Sequence, residues 1–118
     1  MSIQNLITQI RQSPENIEFN DVISAINAHY DYSPTHFTNG VGDDLVINDA
    51  GRNEGSCRIF TFAKLNNLNE SETLACFGKF YQDDVLKNPN GTDHSNIRTF
   101  MRHGWKGIHF EGIALIAR

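Results

Sequence analysis

Asp49-Ala50-Gly51-Arg52-Asn53-Glu54-Gly55-Ser56-Cys57-Arg58-Ile59-Phe60-Thr61-Phe62 is the stretch on which the fold turns. A polar loop with two glycines runs straight into the most apolar run in the middle of the chain. Paired glycines in such a loop permit a turn at positive φ or a close backbone approach. From Ser56 to Leu65 the polar residues Arg58, Thr61 and Lys64 recur every third position, and apolar residues surround the rest of the axis. That pattern predicts a mostly buried helix, with a strand as the alternative for so short a run.

Working outward towards the N-terminus, Ile3, Leu6, Ile7 and Ile10 follow the i, i+3, i+4, i+7 spacing of an amphipathic helix over about Ser2 to Gln12, ended by Pro14. Phe19, Val22, Ile23, Ile26 and Tyr30 repeat the pattern, with Asp21 suited to the positive end of the helix. Asn39-Gly40 between Phe37 and Leu45-Val46-Ile47 predicts a small hairpin or a loose pair of strands. On the C-terminal side, Asn69-Glu70-Ser71-Glu72 has the form of a capping box and opens a helix predicted to reach about Val85. Asn88-Pro89-Asn90-Gly91 is a turn. Thr92 or Asp93 then caps a further helix, with Ile97, Phe100, Met101 and Trp105 turned inward and Gly104 or Gly107 as its stop. Ile108 to Ile116 alternates like a final strand. These elements define a helix-dominated α+β fold with a small antiparallel sheet or hairpin, read as a single domain over residues 1–118.

The chain of 118 residues carries eight Phe, three Tyr and one Trp, enough bulk for a core without metal or disulfides. Net charge is −4, unevenly spread: residues 1–51 hold one base and seven acids (−6), and residues 52–118 hold nine bases and seven acids (+2). An acidic chain without a clustered basic face argues against general nucleic-acid binding, while leaving room for one local anion site. No apolar run approaches the roughly 18 residues of a membrane span. The opening residues lack a secretory pattern, and Cys57 and Cys76 form no disulfide framework, so a cytoplasmic location is expected.

Cys57 follows Gly55-Ser56 at a helix start, where a thiolate is stabilised, although Glu54 opposes it. The commoner role is a buried, packed thiol. His94 follows Asp93 at another helix start and suits a base or ligand; the plainer reading is that Asp93 caps the helix and His94 fills its first turn. Whether Cys57 and His94 meet depends on folding, not spacing. His29, His36, His94, His103 and His109 match no zinc motif, so no metal is expected. The glycines at 40, 42, 51 and 55 match neither the phosphate-loop nor the dinucleotide pattern, so no cofactor is expected. Arg98, Arg102 and Lys106 are spaced by four, a basic stripe that is either solvated or a surface for an anionic partner. The polar loop at Gly51–Cys57 is expected to pack against the start of the Asp93 helix, because both carry backbone N–H groups needing partners. Trp105 is expected to be buried, with a partner for its indole N–H.

Gly51-x-Asn53-Glu54-Gly55-Ser56-Cys57, Thr73-Leu74-x-Cys76-Phe77-Gly78, and Gly91-x-Asp93-His94-x-Asn96-Ile97-Arg98 with Phe100-Met101 and Gly104-Trp105-x-Gly107-Ile108 together resemble the HopJ type III effector family. The resemblance runs from about Phe19 to Gly112. It implies a small bacterial protein of a kind first noted among those that plant pathogens inject into host cells, with members in other bacteria as well. It implies no catalytic residue, substrate or cofactor. The leading reading is a binding protein for a protein or small anionic partner, with Asn53, Arg98, Arg102 and Lys106 as binding candidates. The alternative is a small hydrolase or transferase with Cys57 as nucleophile, His94 as base, and Glu54 or Asn53 positioning the site.

Overall fold

A computed structural model describes residues 2–118; Met1, included in the predicted domain, lies outside the described residues. The first helix, α1 (Ile3–Gln12), begins where the Ser2 hydroxyl accepts a hydrogen bond from the Asn5 amide at 3.0 Å, and it buries Leu6, Ile7 and Ile10. Helix α2 (Phe19–His29) buries Val22, Ala25 and Ile26, then passes directly into β1 (Tyr30–Tyr32). Strands β2 (Phe37–Asn39) and β3 (Val46–Asn48) form the predicted antiparallel hairpin, with Phe37 opposite Asn48.

Helix α3 (Glu54–Leu65) is the buried helix anticipated from the apolar run, with Cys57, Ile59, Phe60, Phe62 and Ala63 all inside. It packs against α2 and against α4 (Glu70–Ala75). The capping box at the start of α4 forms as read: Asn69 Oδ1 accepts from the Glu72 amide and Glu72 Oε1 from the Asn69 amide, both at 2.8 Å.

The helix predicted to continue to Val85 is broken. After Ala75 the chain turns through Gly78 at φ +57 and resumes as a π-helical segment, Phe80–Val85. A side chain at Gly78 would place Cβ 2.8 Å from the Phe19 backbone nitrogen and 3.0 Å from the Ile17 carbonyl oxygen, so close approach of the α2 entry explains the glycine. Helix α5 (Ser95–His103) follows, ended by Gly104 at φ +64 and a short 3-10 turn, Gly104–Gly107.

The single C-terminal strand predicted is instead two, in different sheets. Strand β4 (His109–Phe110) pairs antiparallel with β2, giving the order β3-β2-β4, and β5 (Leu115–Ala117) pairs antiparallel with β1. The alternation that suggests one strand is interrupted at Glu111–Ala114, where the chain crosses from one sheet to the other.

Phe60 sits at the centre of the core. Its ring lies 5.0 Å from Phe100, 5.6 Å from Phe77, 6.0 Å from Phe37 and 6.3 Å from Trp105, centroid to centroid. Trp105 is half-buried rather than enclosed, and its indole N–H donates to the Leu68 carbonyl at 3.2 Å. Met101, assigned to the inward face, is 44% exposed, because the neighbouring core positions are taken by Ile97 and Phe100. Among the described residues no helix is long and apolar enough to cross a membrane.

Candidate binding site between two helix starts

Two helices begin at the same place in the molecule, and both begin unusually. The residue before α3 is Asn53 at φ 51, ψ 48, and the residue before α5 is His94 at φ 51, ψ 51. Non-glycine residues seldom adopt this left-handed conformation, and each instance costs of order 1 kcal/mol or more. Neither side chain folds back to cap its helix. The first-turn amides of Glu54, Gly55 and Ser56, and of Ser95, Asn96 and Ile97, therefore have no acceptor among the described residues. A cavity of about 350 Å³ lies between them, lined by Asn53, Gly55 and Ser56 from one start and His94, Ser95, Asn96 and Ile97 from the other, with Phe19, Phe77 and Phe80 completing the wall.

Four asparagines lock the two starts together. Asn48 Oδ1 accepts from Asn53 Nδ2 at 2.7 Å and from Asn96 Nδ2 at 2.8 Å, so one carbonyl oxygen joins the loop before α3 to the first turn of α5. Asn96 Oδ1 accepts from Asn48 Nδ2 at 3.1 Å and from Asn39 Nδ2 at 3.0 Å. Asn39 and Asn48 are fully buried, and Asn39 Oδ1 finds no donor among the described residues. The expected packing of the Gly51–Cys57 loop against the start of the Asp93 helix is thus present. Of the four, only Asn53 is singled out by sequence reasoning. Asn39 looks like half of a turn dipeptide, and Asn48 like an ordinary strand end.

His94 stands over the π-helical segment. Its Nε2 is 3.0 Å from Asp84 Oδ2, and its ring lies 5.1 Å from that of Phe80. Phe80 also meets Phe19 edge-on at 5.0 Å. Asp93 does not cap α5, contrary to the plainer reading; its carboxylate accepts from Arg98 Nη2 at 2.6 Å, and that bond holds its carboxyl below the usual carboxylate range.

The basic stripe does not exist as a surface. Arg98 is buried, spending its guanidinium on the carbonyls of Asp93, Asn88 and Asp84 as well as on the Asp93 carboxylate. Arg102 pairs with Asp44 at 3.4 Å, and Lys106 lies beyond the helix on the 3-10 turn, exposed. Hydrogen bonding from His103, reinforced by Arg102, lowers the Asp44 carboxyl in turn.

Cys57 and Glu54 look away from this cavity. The Cys57 side chain is 1% exposed, with Sγ 3.7 Å from the Thr35 carbonyl oxygen, while Glu54 accepts from the Tyr32 hydroxyl at 3.2 Å. Neither is part of the cavity wall, and His94 has Asp84 and Phe80 as its neighbours instead. Burial pushes the Cys57 thiol up, reversing the effect expected of a helix start; burial also pushes Cys76 up, to about 12. The Tyr32 phenol is raised too, first by burial and then by Cys57 and Glu54. Both cysteines should consequently resist iodoacetamide near neutral pH until the chain unfolds. Because the folded thiols stay protonated where an unfolded thiol, at roughly 8.5, ionises, stability should be intact below that value and fall as pH rises toward the folded values. Rapid labelling of Cys57 in the folded protein would overturn this.

The fold and the cavity together define a helix-dominated α+β protein with an open, polar-floored site at paired helix starts. The chain belongs to the HopJ type III effector protein family, whose model matches residues 3–115. It is similar to a protein of unknown function, VPA0580, known from a crystal structure. The two are 48% identical, the match covers all of this chain and 95% of that one, and the TM-score is 0.95. No curated protein matches the chain.

Proposed function

We propose that this chain is a binding protein for a small oxyanion, held in the cavity between the starts of α3 and α5. The observation that carries this reading is the meeting of two uncapped helix starts at one cavity. Its wall includes Gly55, Ser56, Ser95, Asn96 and Ile97, five residues with first-turn amides that have no acceptor among the described residues. Helix starts present N–H donors and a positive partial charge, the combination that favours phosphate or carboxylate. The left-handed residues Asn53 and His94 support it further, since strain of this kind is retained where neighbouring structure holds it for a purpose. The size of the cavity is near the lower end of the roughly 300–1,000 Å³ range of ligand sites. Binding, not catalysis, is the role, because the one candidate nucleophile is enclosed in the core with its thiol protonated.

The test is a titration of the protein with inorganic phosphate, followed by amide shifts in ¹⁵N NMR, beside the variant Ser56→Asp. A carboxylate at this position stabilises the helix start by roughly 0.3–1 kcal/mol, so the variant should melt no lower than the parent. It should nevertheless weaken phosphate binding about tenfold or more by like charge in the cavity. Parent amides at Gly55, Ser56, Ser95 and Asn96 that do not respond to phosphate, or a variant that binds as well as the parent, would end the proposal. The family's description as type III effectors supports a host cell as one setting for this binding, with the bacterial cytoplasm as the other. A translocation reporter fused to the chain distinguishes them.

A further inference from the structure

The oxyanion cavity does not stand alone. A second hollow of about 270 Å³, lined by Glu18, Phe19, Asn20, Lys79 and Phe80, shares the Phe19–Phe80 pair with it as a common wall. Phe80 is 39% exposed, an unusual position for a phenylalanine in a chain with a well-filled aromatic core. Phe19 is set in place by a glycine. A Cβ at Gly55, in the first turn of α3, would lie 2.9 Å from the Phe19 ring, so that ring rests directly on the helix start that lines the polar cavity.

We infer that the ligand is an aryl oxyanion: an aromatic ring carrying a phosphate or carboxylate, its charged end at the first-turn amides and its ring across the Phe19–Phe80 wall toward Lys79. The inference rests on the oxyanion reading above and adds the class of molecule that bears the anion. Three features support the ring. The wall shared by the two hollows is aromatic and accessible, so a flat group can lie edge-on or offset against Phe80. The His94 imidazole, tilted 37° against the Phe80 ring at 5.1 Å, extends that aromatic surface into the polar cavity. Lys79 supplies a cation at the far rim, which favours the face of an aromatic ring over a saturated one.

The experiment compares three probes in amide-shift titrations of the intact protein: inorganic phosphate, phenyl phosphate and cyclohexyl phosphate. Phenyl phosphate should shift the amides of Gly55, Ser56, Ser95 and Asn96 as phosphate does, should also move the Phe19 and Phe80 ring signals, and should bind about tenfold tighter than phosphate. Cyclohexyl phosphate should fall between them. Phe80→Leu keeps apolar bulk on the wall but removes the ring. It should abolish the advantage of phenyl over cyclohexyl phosphate, whatever change it makes to the common affinity for phosphate through the cavity wall. Equal affinity for phosphate and phenyl phosphate would sink the aryl inference and leave the oxyanion reading standing. Cyclohexyl phosphate matching phenyl phosphate would remove the aromatic requirement, as would a Phe80→Leu variant that still discriminates. Failure of both phosphate and phenyl phosphate to move the four amides would overturn the functional reading and the inference together.

Discussion

Phe60→Ala is expected to cost about 3–5 kcal/mol of folding stability, the range for truncating a large aromatic side chain in a packed core. Phe60 has no exposed surface and is the ring on which Phe37, Phe77, Phe100 and Trp105 all converge. Those four rings come from β2, the turn after α4, α5 and the 3-10 turn beyond it, so the cavity left by alanine cannot be closed by moving one element alone. A loss of this size is a large fraction of the roughly 5–15 kcal/mol that holds a typical domain together. Urea denaturation measures it. Trp105→Ala should cost less than the same range, because the indole is half-buried, and a Phe60→Ala midpoint at or above that of Trp105→Ala would show that Phe60 is not the centre of this cluster.

Arg98→Met is the second large effect, and it links stability to the site. The guanidinium reaches the carbonyls of Asp93 (2.6 Å), Asn88 (2.8 Å) and Asp84 (3.4 Å) and the Asp93 carboxylate (2.6 Å), so one side chain ties both ends of the 84–93 segment to α5. Hydrogen bonds from a charged donor are worth more than neutral ones, and losing the set should cost about 3 kcal/mol. Methionine preserves much of the stem's packing, which isolates the polar loss. The amides of residues 88–94 should exchange faster in the variant, and phosphate should bind more weakly because His94 and Phe80 depend on that segment for position. Arg98→Lys keeps the charge but cannot serve four acceptors, so it should recover only part of both losses. Unchanged exchange and an unchanged melting temperature would mean that the segment is held by other contacts. Acid should imitate the substitution weakly. The bond from Arg98 lowers the Asp93 pKa on folding, so this contribution is present above the ordinary aspartate range and fades as pH falls through the lowered value. Asp93 is exposed, and water screens much of the effect.

The assignment of Arg98 also shows where a linear reading loses its way. With 3.6 residues per turn, positions four apart advance by about 40° around the axis at each step. Arg98, Arg102 and Lys106 therefore drift rather than align, and α5 ends at His103 before Lys106 is reached. Whether a given face of α5 meets solvent or the 84–93 segment depends on where that segment folds, and no spacing within α5 contains that information. The same holds for Cys57. A helix start lowers a thiol only if the sulfur stays near water and the free amides; here it turns toward the Thr35 carbonyl and burial dominates.

Local chemistry in the sequence determined most of the elements. The apolar spacing of α1 and α2, the Asn69–Glu72 capping box, the β2–β3 hairpin and the buried helix at Glu54–Leu65 are all specified by residues within a few positions of one another. Tertiary contact decided the rest. Gly78 breaks a helix because the entry to α2 presses on it, and the last strand divides because its two ends pair with different strands, β4 with β2 and β5 with β1. The cavity belongs wholly to this second kind. Its two helix starts are tied together by Asn39, Asn48, Asn53 and Asn96 from four separate stretches, and its donors are backbone amides whose identity carries no side-chain signature. Asn53 and His94 are visible in the sequence as residues near helix starts, but only folding brings the two starts face to face.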